Sequence, residues 1–589
     1  MAKHIFIIAG FFLSFFLLVN CVQAQSSKKK KKKSTIVNKH VSRKKTISQK
    51  KKLPVLVPLV KAEPVVIAAD TALPKMVTIT SAFKPSLGNA AKIYFSAATP
   101  VIDTYKIPLT YNIPSQNLFF SYQPVAINPI AMAIDTSVHW ENNQYIKLGW
   151  GNYSTPYAEA GLTFGNGKKS IINLTGQITS SKGQLPFQQF TKANMQALGI
   201  FNSSMNEYTS KLYYNNNNLF KYGYTSNIGF SKNQLQQNFN ALGFEFGVQN
   251  KQRTDFGIIY HPQLKMDYFF DNNGAAEYNF TGIGALNKAV GRVFALDLAL
   301  TADVTSLSKL TAPSNIQNNI YSVKTSIQFN TPNFKLNAGV LPTWDNNNFS
   351  LLPNVTAEVK LDKKKLILMA GWVGSFTKNT YHSLSLINPY IEQPPSLLNT
   401  KVTEQYIGIK GSKGEHITYN AKLSFVRWNN QVLFVNDTAK NNTQTFNLLY
   451  EPSLTGIKFH SEVGYTVQER LSFIGAFDYT LFTSEQLYNK PFGILPLELT
   501  GTLRYKVTKD LILKSDLFFW DGAHYRTANL QTQKLSPAID FNAGAEFSIL
   551  PKLNLWVQLN NMLNNKYERW NQYQVLGFNV LGGVVYSFQ

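Results

Sequence analysis

The histidines of the main body of the chain, His139, His261, His382, His416, His460 and His524, stand singly along the sequence. A protein-built zinc site needs three or four nitrogen or sulfur ligands, and these recur at short spacings such as two histidines one helical turn apart. No such pair occurs, and Cys21 is the only cysteine, which also excludes an intrachain disulfide. Acyl transfer would need a serine, a histidine and an orienting polar group in one place. "YHSLSL" (Tyr381 to Leu386) and "DGAHYRT" (Asp521 to Thr527) carry some of these types, but in stretches of ordinary polar composition. No glycine-rich phosphate loop of the required spacing is present. No catalytic residue, cofactor or metal is therefore expected, and an enzyme is not.

A different set of polar residues is more informative because it recurs at every second position. "IKFHSEVGYTV" places Lys458, His460 and Glu462 opposite Ile457, Phe459 and Val463. "LELTGTLRYKV" places Glu498, Arg504 and Lys506 opposite Leu497, Leu499 and Leu503, and Lys514 and Asp516 follow in "LILKSDLFF". "IDFNAGAEFSI" sets Asp540 and Glu546 against Ile539, Phe541 and Phe547. A period of two means strands with one apolar and one polar face. These ten residues are the candidate lumen-facing set. They form either a generic polar lining whose charges pair with one another or a selectivity surface for a polar solute.

The elements that carry this pattern run 11 to 14 residues, against a usual globular strand of about 5–6 and the roughly 9–11 that a tilted membrane strand needs. Their connections alternate in length. Gln468-Glu469-Arg470, Thr508-Lys509-Asp510 and Leu550-Pro551-Lys552 are tight turns, whereas 374–400, 483–495, 521–536 and 563–575 are long polar stretches. Short turns at one end and long loops at the other are the habit of outer-membrane barrels. Aromatic groups at strand ends, Phe518 to Trp520 and Tyr479 to Phe482, fit interfacial girdles. Lipid offers no partner to a backbone amide, so such strands must close on one another. The fold class is all-β, a transmembrane antiparallel barrel from His139 to Gln589 with about 22 strands and a range of roughly 18–24. Its last strand is read over Leu576 to Phe588, with Phe578, Val584, Tyr586 and Phe588 toward lipid.

The N-terminus specifies export. Met1 to Ala24 has a basic start, an apolar core from Ile5 to Val19 and a small-residue exit, which reads as a signal peptide. Residues 25–52 hold thirteen Lys or Arg and no acid, including Lys28 to Lys33 in a row. Such a block is expected to be a disordered basic tail. Nucleic acid is excluded as its partner by export; anionic lipid, cell-wall polymer or an acidic periplasmic partner, reached through Lys28 to Lys52, fits instead. Residues 53–138 are proline-rich with apolar bursts, a connector of which Lys92 to Pro124 is expected to pack at the periplasmic end or inside the lumen beside Glu498, Arg504, Lys506 and Glu546.

From Leu553 to Phe588 the chain reads "LNLWVQLNNMLNNKYERWNQYQVLGFNVLGGVVYSF". Asn561, Met562, Leu563, Asn564 and Tyr567, followed by Gly582, Gly583, Tyr586 and a penultimate Phe588, resemble the last two strands of TonB-dependent outer-membrane receptors. The resemblance implies localisation in a Gram-negative type outer membrane, contact with its lipid, and a receptor-like transport role. Nothing before His139 reads as the plug domain of that family. The function expected is a plugless channel or receptor-like transporter for a polar solute, with a surface lipoprotein as a further expected partner. The alternative is a scaffold barrel whose basic tail binds a periplasmic or cell-wall partner.

Overall fold

Alternating apolar and polar residues place every second side chain on the same face of a strand, so a long run of such strands makes a two-faced sheet. In the computed structural model that sheet is closed. The residues described are 144–588, apart from 224–228, 311–313, 362–364, 438–444 and 528. The readings made for residues 1–143, namely the signal peptide, the basic tail, the proline-rich connector and the barrel start at His139, lie outside the described residues.

Twenty-two antiparallel strands of 8 to 16 residues pair in sequence order. Closure comes from the first strand, Gln144–Gly151, pairing with the last, Asn579–Phe588, in register from Gln144 opposite Phe588 to Gly151 opposite Leu581. The 22-strand reading holds. Residues 178–242, where alternation is weak, fall into parts of the four strands Ser170–Ser181, Phe190–Asn202, Asn206–Phe220 and Gln236–Asn250, with a single helical turn at Lys232–Leu235.

The two faces separate as the period of two requires. Ile457, Phe459 and Val463 are 41%, 37% and 46% exposed, and Leu503, Leu513, Ile539, Phe547, Val584, Tyr586 and Phe588 share that exposed apolar face. So large an apolar surface has no place on a water-soluble monomer; it is the band an outer-membrane barrel offers to lipid. Phe518 and Trp520 depart from the girdle reading. Trp520 is buried, packed edge-on to Tyr567 at 4.9 Å, and Phe518 packs beside it. Two steps along a strand return to the same face, so these two belong opposite Phe519, the neighbour of the exposed Ile539. The last strand begins at Asn579 rather than Leu576, because Leu576 is buried within the preceding loop.

Turn chemistry follows the two ends. At the long-loop end the connections 152–154, 272–274 and 346–347 are tight; in the last, Asn346 and Asn347 both take positive φ, 46° and 73°, and join Phe334–Asp345 to Asn348–Leu361. Two left-handed residues match the twist of a hairpin, and asparagine tolerates them. The other long connections carry structure of their own. Hairpins form at Gln431–Asn436 with Phe446–Glu451, at His524–Arg526 with Thr532–Lys534, and at Glu568–Trp570 with Tyr573–Gln574. A short helix spans Tyr381–Ile387.

Candidate functional site

The ten residues singled out by alternation all lie on the face opposite the exposed apolar one, but they do not converge on a single centre. Lys458 Nζ and His460 Nδ1 both meet Asp478 Oδ1, at 3.2 and 3.0 Å. Asp478 is the direct cross-strand neighbour of His460 and of Glu498. Glu462 sits one pair further along, opposite Ala476. Arg504 lies opposite Lys514, and Lys506 opposite Ile512. Asp516 accepts a hydrogen bond from Thr502 Oγ1 at 3.0 Å. Glu546 accepts from Asn554 Nδ2 at 2.7 Å. Asp540 is fully buried and accepts from the Tyr567 hydroxyl at 2.6 Å, which makes it an anchor for the loop 561–578.

The same face carries further ion pairs around the barrel: Lys324 with Asp297 at 2.9 Å, Lys410 with Glu358 at 2.6 Å and Lys422 with Glu404 at 2.8 Å. Within each of these pairs acid and base lie less than 3 Å apart, so the field of the pair largely cancels beyond a few ångströms. Near the seam, Lys147 is 2% exposed and lies 4.2 Å from the centre of the Trp556 ring, a cation–π contact in a dry setting.

A denser site forms where the long loops fold together. The connection 378–399 leaves the strand Leu366–Thr377 and reaches back past four intervening strands to Ile258–Asp271 and Ala275–Val290. Its helix starts at Thr380, whose Oγ1 accepts from Ser383 N at 3.0 Å. The first amides of a helix have no partner within it. Here Tyr381 N and His382 N donate to the carboxylate of Glu277 at 2.6 and 3.1 Å. The Tyr381 hydroxyl donates to Asp271 at 2.9 Å, and His382 Nδ1 meets Asp267 at 2.7 Å. Tyr213 donates to the other oxygen of Asp267 at 2.6 Å. Lys378 Nζ pairs with Asp303 at 2.8 Å; burial pulls this ammonium below its ordinary pKa while Asp303 opposes that shift. Four barrel carboxylates thus hold one loop.

Apolar packing completes the strap. Phe269 stacks on the His382 ring at 4.7 Å and meets Tyr381 edge-on at 5.2 Å. Around them a buried core joins barrel residues Phe239 and Leu307 to Leu384, Ile391, Phe434, Phe446, Trp570 and Tyr573 from three loops. The feet of the strap are clamped by amides. Asn318 Nδ2 donates to Asn379 O and Asn399 Oδ1, at 2.8 and 2.9 Å, and Asn399 Nδ2 donates to Asp345 at 2.7 Å. Arg569 docks the loop 561–578 onto its neighbour, with Nη2 donating to Gly493 O at 3.1 Å and the guanidinium over Trp570 at 4.2 Å. Burial pushes its pKa down to about 10, opposed by Glu498.

Asp267 and Asp271 are absent from the set that alternation singled out; the period of two in "LKMDYFFD" puts them on one face, but their partners in the strap lie more than a hundred residues away. His382 and Tyr381, met first as fragments of a weak hydrolase pattern, are structural contacts between a loop and the barrel.

No family model matches the chain, and no curated protein does. Solved structures do. The siderophore receptor PirA from Acinetobacter baumannii superposes with a TM-score of 0.58 at 8% identity, covering 77% of this chain and 81% of that one. The FrpB iron transporter from Neisseria meningitidis gives 0.58 at 10% identity, covering 76% and 82%. The copper transporter OprC gives 0.56 at 11% identity, covering 76% and 80%. At such identities the likeness is one of fold. The chain has the closed 22-strand outer-membrane barrel fold of the TonB-dependent receptors that its C-terminal strands resemble.

Proposed function

We propose that the protein is an outer-membrane transporter or channel for a small polar solute, with its polar face bordering the lumen and its long loops forming a closed outer cap. One observation carries the reading: loops from three separate connections share a buried core with the barrel strands, and one of them is strapped down by four carboxylates. A barrel of this strand number encloses a space too wide for side chains alone to seal, so a built closure at one end implies something to be let through. The roles of the similar structures as receptors and transporters support transport of some kind. The paired charges along the polar face favour a polar path without strong preference for one sign of charge. The exposed apolar band makes outer-membrane lipid the surrounding partner.

Conductance of the purified full-length protein in a planar bilayer tests this reading. Discrete channel openings are expected. Their complete absence across a range of voltage and pH, in protein shown to be folded by its heat-dependent gel mobility, would remove the transport role and leave a scaffold barrel.

A further inference from the structure

We propose that the cavity beneath the strap is a binding subsite for a small hydroxylated carboxylate of about hexuronate size, an inference that rests on the transport reading. The cavity has a volume of about 310 Å³. It lies between the long-loop ends of the barrel strands and residues 391–393 of the strap, lined by Lys221, Gln237, Asn273, Lys309, Glu392 and Gln393, with Tyr381 and Ile391 closing it. Ligand sites begin at about this size, which suits a single sugar ring and excludes a large chelate.

The lining sets the chemistry. Only Ile391 is apolar, so an apolar occupant would strand polar groups. Lys221 is 7% exposed and lies 3.7 Å from Glu392; Lys309 Nζ donates to the carbonyl of Pro394 at 3.0 Å. An ammonium carries three donors, and a single carbonyl contact leaves Lys309 able to reach a second acceptor. Two lysines stand against one glutamate in the lining, and Asp271 behind it is already engaged by Tyr381 and Gln393, so the two ammonium groups are what an entering carboxylate would meet. Gln237 supplies an independent observation. It is 1% exposed, its oxygen accepts from Asn273 Nδ2 at 3.4 Å, and its amide faces the Tyr381 hydroxyl without a close hydrogen bond from Nε2. A buried donor left unmade is costly, and a hydroxyl or carboxylate oxygen in the cavity satisfies it. Gln393 is fixed by Asp271 at 3.0 Å and by Asn273 O at 3.2 Å. The wall is therefore held in place around a space of fixed size.

The strap explains how such a solute would be sensed. Tyr381, Ile391, Glu392 and Gln393 belong to the same loop that the barrel carboxylates hold, so an occupant touches the barrel and the strap at once. A ligand bridging two elements shifts the equilibrium between docked and released loop by its differential affinity for the two states.

Calorimetric titration of the full-length protein with galacturonate, and separately with galactose, tests the assignment. The two sugars differ only in the carboxylate. Galacturonate is expected to bind, with galactose at least about tenfold weaker, the worth of one charge-assisted hydrogen bond. Lys221→Gln and Lys309→Gln, each checked for barrel mobility on a gel, are expected to lower galacturonate affinity about tenfold. Absence of binding, equal binding of both sugars, or binding untouched by both lysine variants overturns the subsite. Bilayer conductance of the same preparation separates the two readings. A barrel that conducts but does not bind galacturonate loses only the subsite, and one that binds but never conducts keeps the subsite and loses transport.

Discussion

At the scale of single residues, the structure rests on two kinds of side chain that substitution separates cleanly. Leu503 stands on the exposed apolar face and Arg504 on the opposite one. Leu503→Arg puts a guanidinium into hydrocarbon and is expected to cost roughly 2–4 kcal/mol if it lies near the bilayer midplane. Arg504→Gln is expected to cost far less. Folding titrations in lipid vesicles read both, and equal tolerance at the two positions would mean that the faces are not lipid and lumen. Glu277 is the second kind. It is 1% exposed and holds two amides of the strap helix. Hydrogen bonds to a charged group are worth roughly 1.5–3 kcal/mol each. In Glu277→Gln the amide oxygen is a weaker acceptor, so hydrogen exchange at Tyr381 N and His382 N is expected to accelerate at least about tenfold. Unchanged protection would show that apolar packing alone holds the strap.

At the scale of elements, the loops behave as small folded units whose docking has its own chemistry. Gly493 takes a φ of 76°, and a Cβ there would stand 3.0 Å from the Trp570 ring and 3.1 Å from Phe434 Cβ. The hairpin His524–Arg526 with Thr532–Lys534 packs beside it, with His524 O accepting from Gly493 N at 2.9 Å. Burial first, then Lys490 and Lys534, lower the pKa of His524, with Asp521 opposing. A histidine whose pKa is depressed in the docked state binds its proton more readily when released. Docking is therefore fully favoured above the free value of about 6.5 and weakens as pH falls through the folded value. Limited proteolysis within 521–537 is expected to be faster at pH 5.5 than at pH 7.5, and His524→Gln is expected to flatten that difference. A cleavage rate independent of pH in the unsubstituted protein would contradict the assignment.

The same loops mark where the sequence stops being legible. Alternation fixed the faces of Lys458, Glu498, Arg504 and Asp540 because a strand's period is a local property. The sorting of tight and long connections fixed the ends of the barrel. Neither could show that Tyr381 meets Asp271, that Trp520 turns from the girdle to support Tyr567, or that hairpins form inside the long loops. Those contacts join residues far apart in the chain, and their partners have no periodic signature. Asp267, Asp271 and Glu277 read as three more polar positions until the strap is laid over them.

At the scale of the whole molecule, closure depends on a narrow seam. Gly583 lies against the Leu148 carbonyl, and a Cβ added at Gly583 would run into it; Gly149 meets the Trp556 ring in the same way. Gly583→Val is expected to part the first and last strands and abolish the heat-modifiable folded band on a gel, whereas Ser587→Val, also in the last strand, is expected to leave it. With the seam closed, the proposed function puts a wide polar lumen inside the barrel, shut at its long-loop end by a strap that the barrel carboxylates hold down. Single-channel conductance of the full-length protein against its Asp267→Asn, Glu277→Gln double variant tests this most directly. The account predicts brief, infrequent openings in the unsubstituted protein and a severalfold rise in open time in the double variant. Equal open times in the two proteins, with both correctly folded, would contradict it.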